Sequence, residues 1–313
     1  KDSVYNMIYR LDAMDAYNQK LVKKIAVKGI SVFGTTATKS YLYLESVNLY
    51  KDKSPTASLE FEIKGANGVG KTTRTVGQGY SLYDHSKRDK NSEGLDEYKG
   101  FTVTHIEGRT NTVYFENGVS ITAGDVVGAT GEDQVRRIQI RETIQTHLER
   151  ERLLFHRGIK VLSLFFIDEV AKYKQYDKDG KAFNGEYADI FEEEYKKAVN
   201  NWQLRFGEDD YIKYLSGISA HETHAGYFSI DKKSKKLVDG KLGDRREKTS
   251  NDVDAYDLIM KNKERLLDFK EPVRFIFSHS ALREGWDNPN VFQICTLKQS
   301  GSDVRKRQEV GRG

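Results

Sequence analysis

Three short runs built almost wholly of apolar residues constrain this chain most: Ile159 to Ile167 (IKVLSLFFI), Val273 to Phe277 (VRFIF) and Val291 to Leu297 (VFQICTL). A strand with one wet face alternates polar and apolar side chains, whereas a strand apolar throughout needs cover on both faces, as inside a parallel sheet. Helical periodicities lie around these runs. Asp133 opens one in which Val135, Ile138, Ile140, Ile144, Leu148 and Leu153 form a stripe reaching about Phe155, and Gly158 closes it. Others fall at about 186–205 and 252–268. Strand alternating with helix predicts βαβ units and therefore an α/β fold with a parallel sheet and helices on both faces. The polar, Lys-rich stretch 229–251 reads as an excursion from that sheet.

Upstream the pattern differs. Residues 4–26 place Val4, Ile8, Leu11, Met14, Leu21 and Ile25 near a helical period, which predicts helix there. From Ile30 on, Ser40–Glu45, Ser58–Lys64, Gly100–Ile106 and Asn111–Glu116 are short, alternate apolar with polar residues, and are punctuated by Gly, Asn and Asp. They predict a small β-rich module over about 33–130, ending in the hairpin signal Glu116-Asn-Gly118.

At 313 residues with 37% hydrophobic content and only 3 Pro, the chain can bury one large or two modest cores. A net charge of +4 permits contact with phosphate without demonstrating it. The lone Cys295 sits in an apolar run and rules out an internal disulfide framework, and no stretch of about eighteen uncharged apolar residues occurs. A cytoplasmic protein with no membrane segment is expected.

Gly65-Ala-Asn-Gly-Val-Gly-Lys71-Thr72 fits GxxxxGK[ST], the pattern of a phosphate-cradling loop. That loop works because a buried strand delivers it and a helix follows, so that backbone N–H groups converge on phosphate. Here Leu59–Lys64 alternates like a half-exposed strand, and Thr72-Thr-Arg-Thr-Val76 is β-branched and soon meets Gly77 and Gly79. The expectation is a turn between two strands. A self-contained NTPase, with Gly65–Thr72 on phosphate and Asp168 and Glu169 on magnesium, is the competing reading.

The C-terminal stretch carries a sharper signal. Glu284-Gly-Trp-Asp287 follows a predicted buried strand, where an open α/β sheet places its ligand loops. Gly285 allows close backbone approach, and Asp287 can accept from a ribose or orient an arginine. Arg305-Lys-Arg-Gln308 and Glu-Val-Gly-Arg312-Gly313 come later. In full, SHSALREGWDNPNVFQICTL and RKRQEVGRG resemble motifs V and VI of the helicase subunit (Res) of type III restriction-modification enzymes, a superfamily 2 motor. IKVLSLFFIDEVAKY is similar to the motif IV region of that family, and the resemblance extends back through RIQIRETI at Arg137 to YRLDAMDAYN at Tyr9. It is weakest in the β-rich module.

The resemblance implies a second RecA-like domain over 131–313, an inserted β-rich subdomain over 33–130, and a helical lead-in over 1–32 from a first motor domain upstream. It implies ATP and Mg2+ bound mainly by that first domain, with Gly285, Asp287, Gln308 and Arg312 facing the nucleotide and Gln308 and Arg312 as the catalytic groups. A guanidinium offered in this way stabilises charge on the γ-phosphoryl oxygens and is worth about 10³–10⁵ in rate. The family carries one more arginine two or three residues further on, so which arginine acts stays open. Ser278, His279 and Ser280 are expected to touch DNA. Further implied partners are the modification (Mod) methyltransferase subunits and the first RecA-like domain of the same, longer chain, and the fragment alone is expected to be inactive.

A non-catalytic nucleic-acid-binding module is a third reading, in which Tyr41, Tyr43 and Tyr50 stack on bases; core packing is the simpler role for aromatics in a small sheet. His221-Glu-Thr-His224 lacks HExxH spacing and an evident third ligand, so no metal site is expected. Asp177-Lys-Asp-Gly180 reads as a turn.

Overall fold

The computed structural model describes residues 11–21, 26, 32–33, 40–128, 131–207, 209–230, 237–238, 258–259, 261–278 and 288–297. Helix α1 spans Ala13–Asn18, α2 Leu82–His85, α3 Glu132–Phe155, α4 Glu186–Phe206, α5 Asp210–Ser216 and α6 Lys263–Leu267. Strands β1 to β4 are Val32–Phe33, Leu42–Asn48, Thr56–Gly65 and Gly68–Val76; β5 to β8 are Val103–Glu107, Thr112–Phe115, Ser120–Thr122 and Val126–Val127. Strands β9 to β12 are Leu162–Phe166, Lys174–Tyr176, Ala182–Asn184 and His224–Tyr227; β13 to β16 are Ser229–Ile230, Leu237–Val238, Phe275–Ser278 and Val291–Thr296.

The three apolar runs become β9, β15 and β16, joined by β12 in a parallel four-stranded sheet of order β12-β15-β9-β16. Strand periodicity sends alternate side chains to opposite faces. Phe165 and Ile167 join Phe275, Phe277, Cys295 and Leu297 against α3, α4 and α5 in one cluster. Leu162, Leu164 and Phe166 join Ile276 and Val291 against Leu258, Ile259 and Leu266 in the other. Each side chain so covered contributes about 1.5–3 kcal/mol. The connection from β9 to β12 carries α4 and α5 on the first face, and the return to β15 carries α6 on the second. Reversing the direction of travel across the sheet must switch faces if both crossovers are right-handed.

Helix α3 begins one residue before the predicted Asp133 and ends at Phe155, with Gly158 at φ +69 in the chain reversal. Ile138, Ile140, Ile144 and Leu148 are fully buried, whereas Leu153 is 71% exposed and lies off the packed stripe. The predicted helix at 252–268 is described at Leu258–Ile259 and again at α6, with Lys261 and Asn262 outside helix. Among the described residues the lead helix predicted over 4–26 is seen as α1, and Val4, Ile8 and Ile25 lie outside them. Asp12 caps it through a bond from Asp15 N at 2.9 Å, and the turn of Lys20 at φ +60 stops it. Leu11, Met14 and Leu21 remain exposed, so the apolar period there meets no core among the described residues.

The β-rich module holds a five-stranded sheet of order β1-β8-β2-β3-β4 and a three-stranded sheet β5-β6-β7. Leu59 and Phe61 from the first and Val113 and Phe115 from the second share one buried core with Tyr98 and Phe101. The signal Glu116-Asn-Gly118 forms the turn between β6 and β7, with Gly118 at φ +83. Tyr41 and Tyr43 are buried, leaving neither ring free to stack on a base; Tyr50 is exposed and bonds Thr56. Elements that the sequence reading did not foresee include α2, α5, the edge strand β12, the β13–β14 pair and the β10–β11 hairpin, whose turn is the Asp177–Gly180 segment. There Asp177 Oδ1 accepts from Asp179 N at 3.0 Å and Lys181 N at 2.8 Å.

Candidate functional site

The parallel register brings the carboxyl ends of all four strands to one edge. Phe166 stands opposite Ser278 and Thr296, and Ser278 opposite Tyr227. The backbone seals this edge: Ile167 N donates to Ser278 O at 2.9 Å and Leu297 N to Phe166 O at 2.8 Å. In an open α/β sheet, ligands bind in the crevice outside this edge, where the loops diverge. In sequence Glu284–Asp287 follow β15, which ends at Ser278, and Gln308 and Arg312 follow β16. Ser278 is buried at the end of β15. His279, Ser280, Gly285, Asp287, Gln308 and Arg312 lie outside the described residues.

Asp168 and Glu169 do stand at this edge, one residue beyond the end of β9. Asp168 Oδ2, however, accepts from Lys172 Nζ at 2.8 Å, and Oδ1 accepts from Glu169 N at 3.1 Å. Burial alone would raise the Asp168 pKa, but the Lys172 bond and the local backbone donors hold it below the ordinary carboxylate range. Lys172 also donates to Tyr187 Oη at 3.3 Å, and its ammonium is stabilised above the usual lysine range chiefly by the Asp168 bond. Each Asp168 oxygen thus takes a donor from the protein, and Lys172 already balances the charge of the carboxylate.

The glycine-rich stretch is a hairpin. Strands β3 and β4 pair antiparallel from Ala57–Val76 to Gly65–Gly68, with Ala66 and Asn67 at the turn. Gly68 sits at φ +121, a conformation that other residues adopt only under strain. Lys71 pairs across the strands with Glu62, and its Nζ lies 3.9 Å from the centre of the Tyr41 ring. No helix opens after Thr72, so no helix N-terminus faces a phosphate, and the self-contained NTPase reading is overturned. The physical reason is β-branching: Thr72, Thr73, Thr75 and Val76 favour strand.

His221 and His224 go separate ways. His221 is exposed beside Ser219 Oγ at 2.9 Å. His224, on β12, places Nδ1 2.8 Å from Tyr173 Oη and Nε2 3.5 Å from Glu192 Oε1. The Glu192 carboxyl is held down to about 2, first by His224 and then by Asn184 against the effect of burial. Among the described residues no three His, Cys, Asp or Glu side chains group as a metal site.

Sequence reasoning missed two buried ionic clusters. Glu151 on α3 and Arg274 just before β15 are both fully buried and lie 2.8 Å apart. Arg141 on α3 lies between Glu60 of β3 and Glu194 of α4. The only sequence signal is charge beside the apolar stripe of α3, as in Arg137 and Arg141 one turn apart, and its default reading is a solvated face.

No family model matches the chain. It is 35% identical over 98% of its length to the type III restriction-modification enzyme EcoPI Res subunit of Escherichia phage P1, covering 28% of that protein. It is 33% identical to the EcoP15I Res subunit of Escherichia coli, with 98% of this chain and 28% of the relative covered. The StyLTI Res subunit of Salmonella typhimurium shows 31% identity over 97% of this chain and 29% of its own length. The similarity thus runs through the β-rich module as well as the parallel sheet, and the chain spans less than a third of the length of these relatives. No helix among the described residues is long and apolar enough to cross a membrane.

Proposed function

We propose that this chain, related over nearly its whole length to the Res subunits of type III restriction-modification enzymes, is the second motor domain of an ATP-dependent DNA translocase or helicase. In this reading residues 131–313 form the RecA-like domain, 33–130 its β-rich insertion and 1–32 the lead-in from a first motor domain. The observation that carries it is the meeting of four parallel strand ends at one edge, with the Gly285–Asp287 segment following β15 and the Gln308–Arg312 segment following β16. Gly285 and Asp287 approach the nucleotide; Gln308 and Arg312 reach its triphosphate. The pairing of Asp168 with Lys172 leaves magnesium to carboxylates of the first domain, which holds ATP and Mg2+. The metal would supply charge neutralisation to the phosphates when bound there, and Arg312 stabilises the charge that develops on transfer.

In this reading Ser278, which ends β15, and the next two residues in sequence, His279 and Ser280, contact DNA. Such contacts go mainly to phosphates and weaken steeply with salt. Modification subunits supply site recognition, the whole enzyme cuts DNA as a type III endonuclease, and it works in the cytoplasm. The test is Arg312→Ala in the full-length protein: ATPase turnover should fall about 10³-fold or more while nucleotide binding changes little. Unchanged turnover, or robust Mg-ATP hydrolysis by residues 1–313 alone, would refute the reading.

A further inference from the structure

Two buried cores, one around Phe61 and Phe101 and one around Phe165 and Phe275, stay separate. Among the described residues, the cluster between them holds four buried apolar residues, Tyr41, Tyr43 and Val126 from the β-rich side and Ile138 from α3. Beside it is a buried polar lattice. Arg141 Nη1 lies 2.8 Å from Glu60 Oε2, and its Nε donates to Glu194 Oε2 at 2.6 Å. One guanidinium therefore grips a carboxylate of the β3 strand and a carboxylate of α4. The other Glu60 oxygen accepts from Tyr41 Oη at 2.8 Å, and Gln134 Nε2 of α3 reaches the same two atoms at 3.1 and 3.3 Å. Tyr43 Oη donates to Glu142 of α3. Burial opposes ionisation of Glu194, but the Arg141 charge and hydrogen bonds hold its carboxyl down to about 2.

Apolar contact is non-directional and tolerates sliding, so four side chains alone would leave the two cores free to rock. Buried hydrogen-bonded charges do not tolerate it, because any displacement strands a charge in a medium of low dielectric. Beyond Glu60, β3 continues to Gly65 and turns at Ala66–Asn67, which puts the hairpin tip roughly 20 Å from the grip at about 3.3 Å per residue.

We propose that Arg141 is a positioning residue that locks the β-rich module to the helical face in one orientation, making the β3–β4 hairpin a rigid arm of the sheet domain. The lock stands whether or not the motor reading above does, since it concerns the resting geometry without ATP or DNA.

Pulsed electron spin resonance between labels at Asn67→Cys and Lys196→Cys tests it in this chain, both positions being exposed. The one natural cysteine, Cys295, is buried with its thiol pushed up to about 11, and stays unlabelled. The unaltered chain should give one narrow distance distribution. Arg141→Met should broaden it at least about two-fold while near-UV circular dichroism shows both cores packed, and Arg141→Lys should restore part of the sharpness. If Arg141→Met does not fold, Glu60→Gln loosens the lock from the other side and should broaden the distribution alone. A broad distribution in the unaltered chain, or an unchanged width in the folded variants, overturns the proposal.

Discussion

Replacing Arg274 by Ala should destabilise the chain by about 3–5 kcal/mol, the range expected when one member of a buried ion pair is removed. Its Nη1 lies 2.8 Å from Glu151 Oε2, its Nη2 donates to Tyr214 Oη at 2.6 Å and its Nε to Pro272 O at 3.0 Å. Glu151 keeps Tyr211 Oη at 2.9 Å and Val161 N at 3.1 Å, but neither brings a positive charge. His147 Nε2 is 3.7 Å away, and burial pushes that imidazole towards its neutral form.

The pH profile supplies an independent sign. Burial acts to raise the Glu151 pKa, yet Arg274 and the neighbouring His147 and Tyr211 outweigh it and hold the carboxyl at about 2 against an ordinary 4.5. A depressed folded pKa adds stability that is fully present above about 4.5 and lost as pH falls towards 2. In Arg274→Ala the largest opposing charge is gone and burial works against only Tyr211, Val161 N and an imidazole that burial holds towards neutral, so the folded pKa rises above the ordinary carboxylate range. The variant should then lose stability as pH climbs from about 5 to 7, where the parent does not. Urea unfolding followed by far-UV circular dichroism at pH 5 and 7 reads both effects. A loss below about 1 kcal/mol, or a variant whose stability rises with pH over that window, would refute the account. Arg274→Met combined with Glu151→Leu removes both charges and should recover most of the loss.

Two further outcomes can be checked simply. Lys71→Ala should leave ATP binding and turnover of the full-length protein unchanged and cost at most about 1 kcal/mol in thermal unfolding, from the lost contact with the Tyr41 ring; a loss of nucleotide binding would restore the phosphate-loop reading. Gly226→Ala places a methyl 2.5 Å from the Phe228 ring and 2.6 Å from the Tyr173 ring, so unfolding should show a destabilisation of about 1–3 kcal/mol. A variant as stable as the parent would mean that those rings can shift.

The parallel sheet was readable because its strands are apolar on both faces, a pattern that becomes favourable only when both faces are covered; Leu162 to Ile167 illustrates it, dividing alternately between two clusters. Strand β12 was not readable, because His224-Ala-Gly-Tyr227 at the sheet's rim has neither an apolar run nor clean alternation. The hairpin at Gly65–Gly68 could be separated from its look-alike only by the character of its flanks, since the pattern matches residue for residue. The ionic clusters were illegible for a different reason. Arg141, Glu194, Glu151 and Arg274 have the composition of a wet surface, and only tertiary placement shows that each is enclosed with a partner. As for the site, Gly285 follows β15 and Arg312 follows β16 in sequence, and their roles rest on resemblance.

The salt-linked seam at Arg141 bears on how this polypeptide can be dissected. Excising residues 33–130 would strip Arg141 of Glu60 and Glu142 of Tyr43 in one stroke, opening a hydrated scar on α3 where enclosed partners had been. Lost activity in such a truncation would report a damaged scaffold. Changes confined to the exposed hairpin tip, such as Asn67 and Val69, leave that seam whole and isolate what the arm itself contributes.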